Sequence, residues 1–437
     1  MGDIMEILSL GQKIKKLRKE KNLTLKELAG NRITAAQISH IERDKSYPSQ
    51  DLLEYFSEKL ETSIDYFLES KESQAKKIAS SIILKSEVLF KTEKYQEAKR
   101  ELSTILNLCT SYDISHECAK ANFIYGLVYL VEKEYKKATS MMEKALVLYI
   151  KNEDPKGIIK SYLELGKLYI LGDFYLPASN MLHQAEAMIP ELEINDIELE
   201  KSIYINLSYA YMKNNQNKEA IKYAHKAESI AEKVGDLKNR GNGFFIMGNS
   251  YLQNYQYDNA QKYFHMAIKC FEKENKIFEK AKSQMLLAKV YLNLKSYSSA
   301  KEHIEQAYIL KKEFKDSQYI EILMMYCELL INDENFELAL EYIREALYLS
   351  TKEQNKKMEP LVMRKYANLL YQSGNVDEAT VSFNKCAEML QKTGNKKELA
   401  STYFDIAKTY QGRSKEQEIG FYSKGIDLFR EIGLIEN

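Results

Sequence analysis

Apolar residues recur at helical spacing over residues 10–68, and this pattern restarts several times. A first helix of about three turns starts at Leu10. Two capping boxes follow, at Thr24 and at Thr34, and each predicts a new helix because its paired side chains satisfy unpaired backbone N–H groups. The short turn Gly30-Asn31-Arg32 joins these two helices. Together with two later apolar segments, the pattern predicts five short helices with a helix-turn-helix at their centre.

A longer period governs the chain from residue 78 onward. Small residues recur every 39 to 42 positions, at Ala98, Ala138, Ala178, Ala220, Ala260, Ala300, Ala339 and Ala379. A second series of small residues precedes them, at Gly126, Gly166, Ser208, Gly248, Ala288, Cys327, Ala367 and Ala407. Small residues at these spacings let two helices cross closely, so each repeat is predicted to be a helical hairpin. Counting a weaker first copy and an irregular last one, the sequence contains nine repeats.

These patterns predict an all-α protein with three segments. Residues 1–68 form a five-helix domain with a helix-turn-helix, residues 69–77 a polar linker, and residues 78–437 an array of helical hairpins. Charge supports a separate role for the first segment. From Gly11 to Lys45 there are ten basic and four acidic residues, and from Ser46 to Glu72 two basic and seven acidic ones. A local basic surface on a chain with no net charge favours local nucleic-acid binding.

The segments LTLKELA, ITAAQISHIERDKSYPS and SIDYFL resemble the helix-turn-helix of Cro and phage-repressor type, the XRE family. The resemblance implies that Ala35, Ala36 and His40 contact bases. It implies that other polar residues of the same helix lie near phosphates or flanking bases. The full set of predicted DNA-binding residues is Thr34, Ala35, Ala36, Gln37, Ser39, His40 and Arg43. The amide of Gln37 could equally be used in the capping box.

The resemblance carries two further implications. Arg18 and Glu42 match the buried ion pair of that fold, so their role is structural. Leu25 stands where the family usually has a phosphate-binding Gln, so that phosphate contact is missing or comes from Lys13 or Lys26.

The hairpins resemble tetratricopeptide repeats, with a period near 40 instead of 34. The resemblance implies a right-handed solenoid whose concave wall is lined by the first helix of each hairpin. Amides on that wall can pair with the backbone of an extended peptide. Phe245, Met285, Leu292 and Met324 would form apolar pockets. The predicted peptide-binding residues are Asn206, Tyr209, Asn242, Phe245, Asn249, Gln253, Lys289, Asn293, Glu328, Asn332, Arg364, Asn368 and Gln372.

Composition excludes several classes of function. The five cysteines are odd in number and lack CxxC spacing, so we expect a reducing, cytoplasmic environment with neither disulfides nor a zinc site. No apolar run approaches the ~20 residues that span a bilayer. His183, His225 and His265 recur with the repeat, but one repeat separates each from the next by roughly 10 Å, too far for one metal ion. No motif predicts a cofactor or a catalytic residue.

A helix-turn-helix followed by repeats of this length resembles the peptide-sensing quorum regulators of Gram-positive bacteria, the RRNPP group, on its NprR and PlcR side. The resemblance implies a homodimeric transcription regulator gated by a short imported peptide. In it, residues 1–68 are the domain that binds palindromic promoter DNA, and residues 78–437 are the domain for peptide sensing and dimerisation. An alternative is a protein-binding array that sequesters a response regulator in the manner of Rap proteins. A phosphatase activity toward such a partner is a third possibility, for which the sequence offers no residue.

Overall fold

The computed structural model describes residues 6–191, 196–352 and 356–433. Within these residues the regular structure is helical throughout, with 23 α-helices and one short 3-10 turn, Ile189–Glu191. The predicted all-α fold is therefore confirmed. The chain divides into two compact units, Met1–Ala210 (unit 1) and Tyr211–Asn437 (unit 2).

Five short helices open unit 1, as the apolar pattern predicts. They are α1 Leu10–Glu20, α2 Leu25–Ala29, α3 Ala35–Ile41, α4 Gln50–Leu60 and α5 Ile64–Leu68. The two predicted capping boxes begin α2 and α3, and a third, at Ser9, begins α1. Ile14, Leu28, Ile38 and Phe56 are fully buried in one core, which holds these helices together.

The other eighteen helices follow as nine consecutive pairs, which confirms the predicted number of hairpins. They are α6 Lys71–Lys91, α7 Tyr95–Cys109, α8 Ser115–Val131, α9 Tyr135–Lys151, α10 Pro155–Leu171, α11 Tyr175–Met188, α12 Ile197–Lys213, α13 Asn217–Lys233, α14 Leu237–Gln253, α15 Tyr257–Lys273, α16 Ile277–Asn293, α17 Tyr297–Lys311, α18 Ser317–Asn332, α19 Phe336–Lys352, α20 Met358–Gln372, α21 Val376–Thr393, α22 Lys396–Thr409 and α23 Lys415–Glu431.

Helix length explains why the period exceeds that of an ordinary tetratricopeptide repeat. α14 and α15 each have 17 residues, and the turns 254–256 and 274–276 join them to their neighbours. Two helices of this length and two three-residue turns make the forty-residue repeat. The middle residue of each turn has a left-handed backbone, with φ of +58° at Tyr255 and +52° at Asn275. This conformation reverses the chain in the fewest residues.

The small residues that the sequence places in series lie where helices cross. A Cβ atom built on Gly166 would lie 2.6 Å from Leu182 Cγ, and one built on Gly248 would lie 2.9 Å from the ring of Phe264. Leu182 and Phe264 are fully buried, each four residues after the Ala of its second helix. The backbone of the first helix therefore contacts a side chain of the second. A residue larger than Gly fits there only if it displaces that side chain or its helix.

The helix-turn-helix module, residues 10–68, is joined to the first hairpin by specific contacts. α6 begins at Lys71, inside the predicted linker 69–77, so only two residues separate it from α5. The backbone N–H of Leu8 donates to Gln74 Oε1 at 3.0 Å, and Gln74 Nε2 donates to the carbonyl of Leu8 at 2.9 Å. Ile7 packs against the core of the first hairpin. The segment before α1 thus connects the module to α6.

The expectation of five free cysteines is wrong. Cys109 and Cys118 form a disulfide with their Cα atoms 6.1 Å apart. The reason is the short connection after α7, which ends at Cys109, because α8 begins at Ser115 and brings Cys118 back beside it. This Cα separation lies within the range that a disulfide bridges. The other three cysteines are free and buried.

Replacing Gly248 by Ala should lower the free energy of unfolding by about 1–2 kcal/mol, because the added methyl group must displace the buried Phe264 ring. Urea denaturation followed by far-ultraviolet circular dichroism measures this change.

Gly420 provides the matched control, because it lies in the interior of α23 and a Cβ there meets no atom within 4 Å. Gly420→Ala should stabilise the protein by about 0.5–1 kcal/mol, since Ala restricts the unfolded chain and favours helix. Equal effects of both substitutions would show that the crossing at Gly248 is not tight.

Candidate DNA-binding and peptide-binding sites

Helix α3 has one buried face and one exposed face. Ile38 is fully buried and Ile41 is 4% exposed. Ala36, Gln37 and His40 are exposed on the other side. Ser39 and Ala35 are half-buried, and Thr34 is the exposed N-cap residue. The helix ends at Ile41, so Arg43 lies in the turn after it, where it is exposed. All seven predicted DNA-binding residues thus lie on or beside one short helix.

The side chain of Gln37 takes part in the capping box. Its Oε1 atom accepts hydrogen bonds from the backbone N–H of Thr34 at 2.8 Å and from the Thr34 hydroxyl at 3.1 Å. The backbone N–H of Gln37 donates in return to the Thr34 hydroxyl at 3.2 Å. The amide oxygen of Gln37 therefore fixes the start of α3.

The predicted ion pair holds α1 against the end of α3. Arg18 Nε donates to Glu42 Oε1 at 2.5 Å, and its Nη2 donates to Glu42 Oε2 at 3.0 Å. Arg18 Nη1 also donates to the carbonyl of Leu23 at 2.8 Å. Hydrogen bonding to Glu42 raises the pKa of the Arg18 guanidinium. The structural role that the sequence assigned to this pair is confirmed.

Lys13 is unable to replace the missing phosphate contact, contrary to one of the two suggestions from the sequence. Its side chain is 1% exposed, and its Nζ donates to the carbonyl of Tyr66 at 2.6 Å and of Glu69 at 2.8 Å. Burial lowers the pKa of Lys13. Lys13 instead satisfies carbonyls at the end of α5, where a cation is favourable. Lys26 is exposed and stays available.

Unit 2 contains a cavity of about 350 Å³ between the first helices α16, α18 and α20, which we call the methionine-lined cavity. Its walls comprise Met285, Leu286, Lys289, Leu292, Asn293, Glu321, Met324, Met325, Glu328, Met358, Leu361 and Lys365. Three predicted peptide-binding residues, Lys289, Asn293 and Glu328, and the three predicted apolar residues Met285, Leu292 and Met324 are therefore brought together. Methionine side chains are flexible and adapt to varied apolar partners.

Charges of both signs lie at this cavity. Glu328 forms an ion pair with Lys365 at 2.8 Å. Burial raises the pKa of Glu321, and Lys289, Lys282 and Lys213 oppose this rise. Burial also lowers the pKa of Lys282, whose Nζ lies 5.1 Å from the centre of the Phe245 ring. A ligand here meets a half-buried carboxyl group with lysines around it.

Several predicted peptide-binding residues have partners within the protein. Arg364 binds Asp405 through Nε at 2.8 Å and Glu398 through Nη1 at 2.9 Å, so it joins α20 to α22. The amide of Asn368 donates to the carbonyl of Arg364 at 3.1 Å, four residues earlier on the same helix. In unit 1, Asn206 does the same with Ser202 at 2.7 Å.

The remaining predicted residues differ in their surroundings. Phe245 is buried, with its ring centre 6.1 Å from that of Phe264. Asn249 donates to the sulfur atom of Met212 at 3.2 Å, and Asn242 donates to Asn239 Oδ1 at 3.3 Å. Gln253, Asn332 and Gln372 are exposed at the ends of their helices, and Tyr209 of unit 1 is half-buried.

Sequence reasoning missed Lys282, Glu321, Leu361 and Lys365. Lys282 and Glu321 are charged residues that are only half-exposed. A charged residue near the middle of a first helix was the sequence signal that could have identified them. The described residues contain no group of three or more His, Cys, Asp or Glu side chains able to hold a metal ion. Within them every helix is too short or too polar to span a lipid bilayer.

These features define a helix-turn-helix protein with an array of tetratricopeptide repeats. Residues 14–67 match the family model described as helix-turn-helix, and residues 202–234 and 281–313 match tetratricopeptide repeat. Residues 317–431 match the model described as suppressor of spindle checkpoint defect 1 C-terminal domain. A comparison with curated protein sequences finds no match.

Three solved structures share the fold. The apo form of the quorum sensor NprR from B. thuringiensis is 19% identical, with a TM-score of 0.61 over 80% of this chain and 98% of that one. Apo RapI is 18% identical, with a TM-score of 0.53 over 63% and 98%. A Rap protein complexed with competence and sporulation factor is 13% identical, with a TM-score of 0.54 over 82% and 99%. The resemblance to the peptide-sensing RRNPP group is confirmed at the level of the fold.

Replacing Glu42 by Gln should lower the free energy of unfolding of the helix-turn-helix module by about 3 kcal/mol, because Arg18 would keep a largely buried charge without its partner. Hydrogen exchange measured on α1, α3 and α4 reports this loss.

Glu58→Gln in α4 is the control, because Glu58 is exposed. We expect it to change the free energy of unfolding by less than about 0.5 kcal/mol. Similar exchange rates in the two variants would contradict a stabilising role for the ion pair.

Proposed function

We propose that the protein is a cytoplasmic transcription regulator that binds palindromic promoter DNA as a homodimer and responds to a short signalling peptide. The observation that carries this proposal is the exposed face of α3, which is small and polar and is held by the ion pair between Arg18 and Glu42. A helix with one face in a core and the other face formed by small, polar side chains in solvent can enter a DNA major groove.

The DNA contacts divide by chemistry. Ala35 and Ala36 suit the methyl groups of thymine, and His40 can donate to a purine. Arg43, beyond the helix, and Ser39 suit phosphates, which position the protein without reading sequence. Because one copy makes few base contacts, specificity requires two copies at half-sites about 34 Å apart or a multiple of it.

The peptide is proposed to bind in unit 2, at the methionine-lined cavity. Its apolar walls suit hydrophobic peptide side chains, while Asn293, Lys289 and Glu321 offer hydrogen-bond partners to backbone or charged groups. In this proposal Asn249 and Gln253 extend the site along α14. Arg364 contributes by fixing α20 through its two carboxylate partners, not by direct contact.

The structural relatives support this reading. NprR is described as a quorum sensor, and one Rap protein is complexed with competence and sporulation factor. Both share the fold of this chain. A sensor built from an array and a DNA-binding module also has a physical basis, because small rotations between successive repeats change the position of distant parts.

The DNA-binding proposal predicts distinct effects for two substitutions. Gel retention with promoter fragments flanking the gene, with and without peptides encoded nearby, should show a complex with the wild-type protein. His40→Ala should weaken binding by about 1–3 kcal/mol at one base position, and Arg43→Ala should weaken binding to all sequences and reduce the salt dependence by about one counterion.

Lys136→Ala, which removes an exposed charge on α9, is the control and should leave retention unchanged. Absence of retention by the wild-type protein under every condition would overturn the proposed regulator.

The peptide proposal predicts that Asn293→Ala lowers affinity for the cognate peptide by about 1–2 kcal/mol, because one hydrogen-bond partner is lost in the groove. Isothermal titration with synthetic peptides from small open reading frames beside the gene measures it. Asn107→Ala, an exposed Asn on the second helix α7, is the matched control. Equal affinities in both variants would remove Asn293 from the site.

A second candidate is the capture of a response regulator, favoured by the fold shared with two Rap proteins. Gel filtration of the full chain with a receiver domain tests it. A stable complex that excludes DNA would favour this function over the first.

A further inference from the structure

Unit 1 contains a second cavity, of about 490 Å³, between the first helices α6, α8 and α10. We call it the lysine-rimmed cavity. Apolar and aromatic side chains form its floor, and charged side chains form its rim. The volume is typical of sites for small organic molecules. None of the predicted DNA-binding or peptide-binding residues lines it.

The floor of this cavity is apolar and largely aromatic. Ile124 and Tyr149 are each 5% exposed, and Phe90, Phe123 and Leu127 are half-buried around them. Burial raises the pKa of Tyr149, so its hydroxyl stays neutral. The floor therefore accommodates an apolar body of the size of one or two aromatic rings.

The close approach of α10 keeps this floor in place. A Cβ atom on Gly157 would lie 2.2 Å from Tyr149 Cδ1, so only Gly allows the ring to lie where it does. His116 adds an edge contact to the same ring, at 6.4 Å between ring centres. Tyr149 is thus held from two sides.

The rim carries more lysines than carboxylates. Four lysines line it, Lys91, Lys120, Lys156 and Lys160, against Glu87 and Asp154. Lys156 forms an ion pair with Asp196 at 2.9 Å, and together with Lys160 it lowers the pKa of that carboxyl group. Among residues 6–191, 196–352 and 356–433, no carboxylate lies within ion-pair distance of Lys91, Lys120 or Lys160, one from each of the three helices.

We propose that this cavity binds a small organic anion, an apolar or aromatic body bearing a carboxylate. The body would lie on Phe123 and Tyr149, and the carboxylate would accept hydrogen bonds from Lys120 and Lys160. Two lysines beside an apolar floor, with no carboxylate of the described residues within ion-pair distance, favour a ligand of the opposite charge. The proposal is independent of the peptide site in unit 2.

Isothermal titration of the full-length protein with 1-naphthoate tests the proposal, with neutral 1-naphthamide as the matched ligand. We expect naphthoate to bind at one site per chain and the amide to bind at least about tenfold more weakly, because a charge-assisted hydrogen bond contributes that much. Equal binding of both compounds, or none by naphthoate, would overturn the proposal.

Two double variants locate the site. Lys120→Glu with Lys160→Glu should weaken naphthoate binding by about tenfold or more. Lys136→Glu with Lys144→Glu makes the same charge change on exposed positions of α9 and should leave it within about twofold. Circular dichroism confirms that both variants are folded. Equal losses would overturn the assignment, as would saturable binding of acetyl-Glu-Phe-Glu-amide at these lysines without binding of naphthoate.

Discussion

The close crossing of paired helices is the constraint on which the array depends. Where the first helix has Gly, the second presents a large buried side chain, as at Gly166 with Leu182 and Gly248 with Phe264. Gly126 gives a further case, because a Cβ atom there would lie 2.8 Å from the terminal methyl group of the buried Met142. These crossings leave no room for a second arrangement of the paired helices, so each of these hairpins keeps one geometry. Both cavities depend on that geometry, because most of their lining residues come from successive first helices.

The helix-turn-helix module depends on a different kind of contact. Not all of its basic residues face solvent, since Lys13 is buried and Arg18 half-buried, and both bind carbonyl or carboxylate groups of the same unit. Buried charges of this kind are costly to leave unpaired, so they fix one arrangement of α1, α3 and α5. The basic surplus of this half of the module therefore overstates the positive charge on its surface.

Sequence reasoning succeeded where the controlling interactions are local or periodic. A capping box joins residues three positions apart, and the same packing pattern recurs in nine repeats. Both features could therefore be predicted from the sequence. It failed where partners are distant in the chain. Lys13 meets a carbonyl 53 residues away, and Arg364 meets a carboxylate 41 residues away. Three predicted peptide-binding residues and three predicted apolar residues do meet at the methionine-lined cavity. They meet because positions on the same face of successive first helices recur with the period of the repeat. The use of Asn206 and Asn368 by their own helices depends on rotamers, which no spacing specifies.

The disulfide between Cys109 and Cys118 makes the stability of unit 1 depend on the redox conditions around it. Forming the bond releases two electrons and two protons, so the free energy that it contributes varies with the ambient thiol potential, by about 1.4 kcal/mol for each 30 mV. The bond anchors the start of α8, the helix that carries His116 and Lys120 to the lysine-rimmed cavity. The stability of the part of α8 that lines this cavity therefore varies with the thiol–disulfide potential of the surrounding solution.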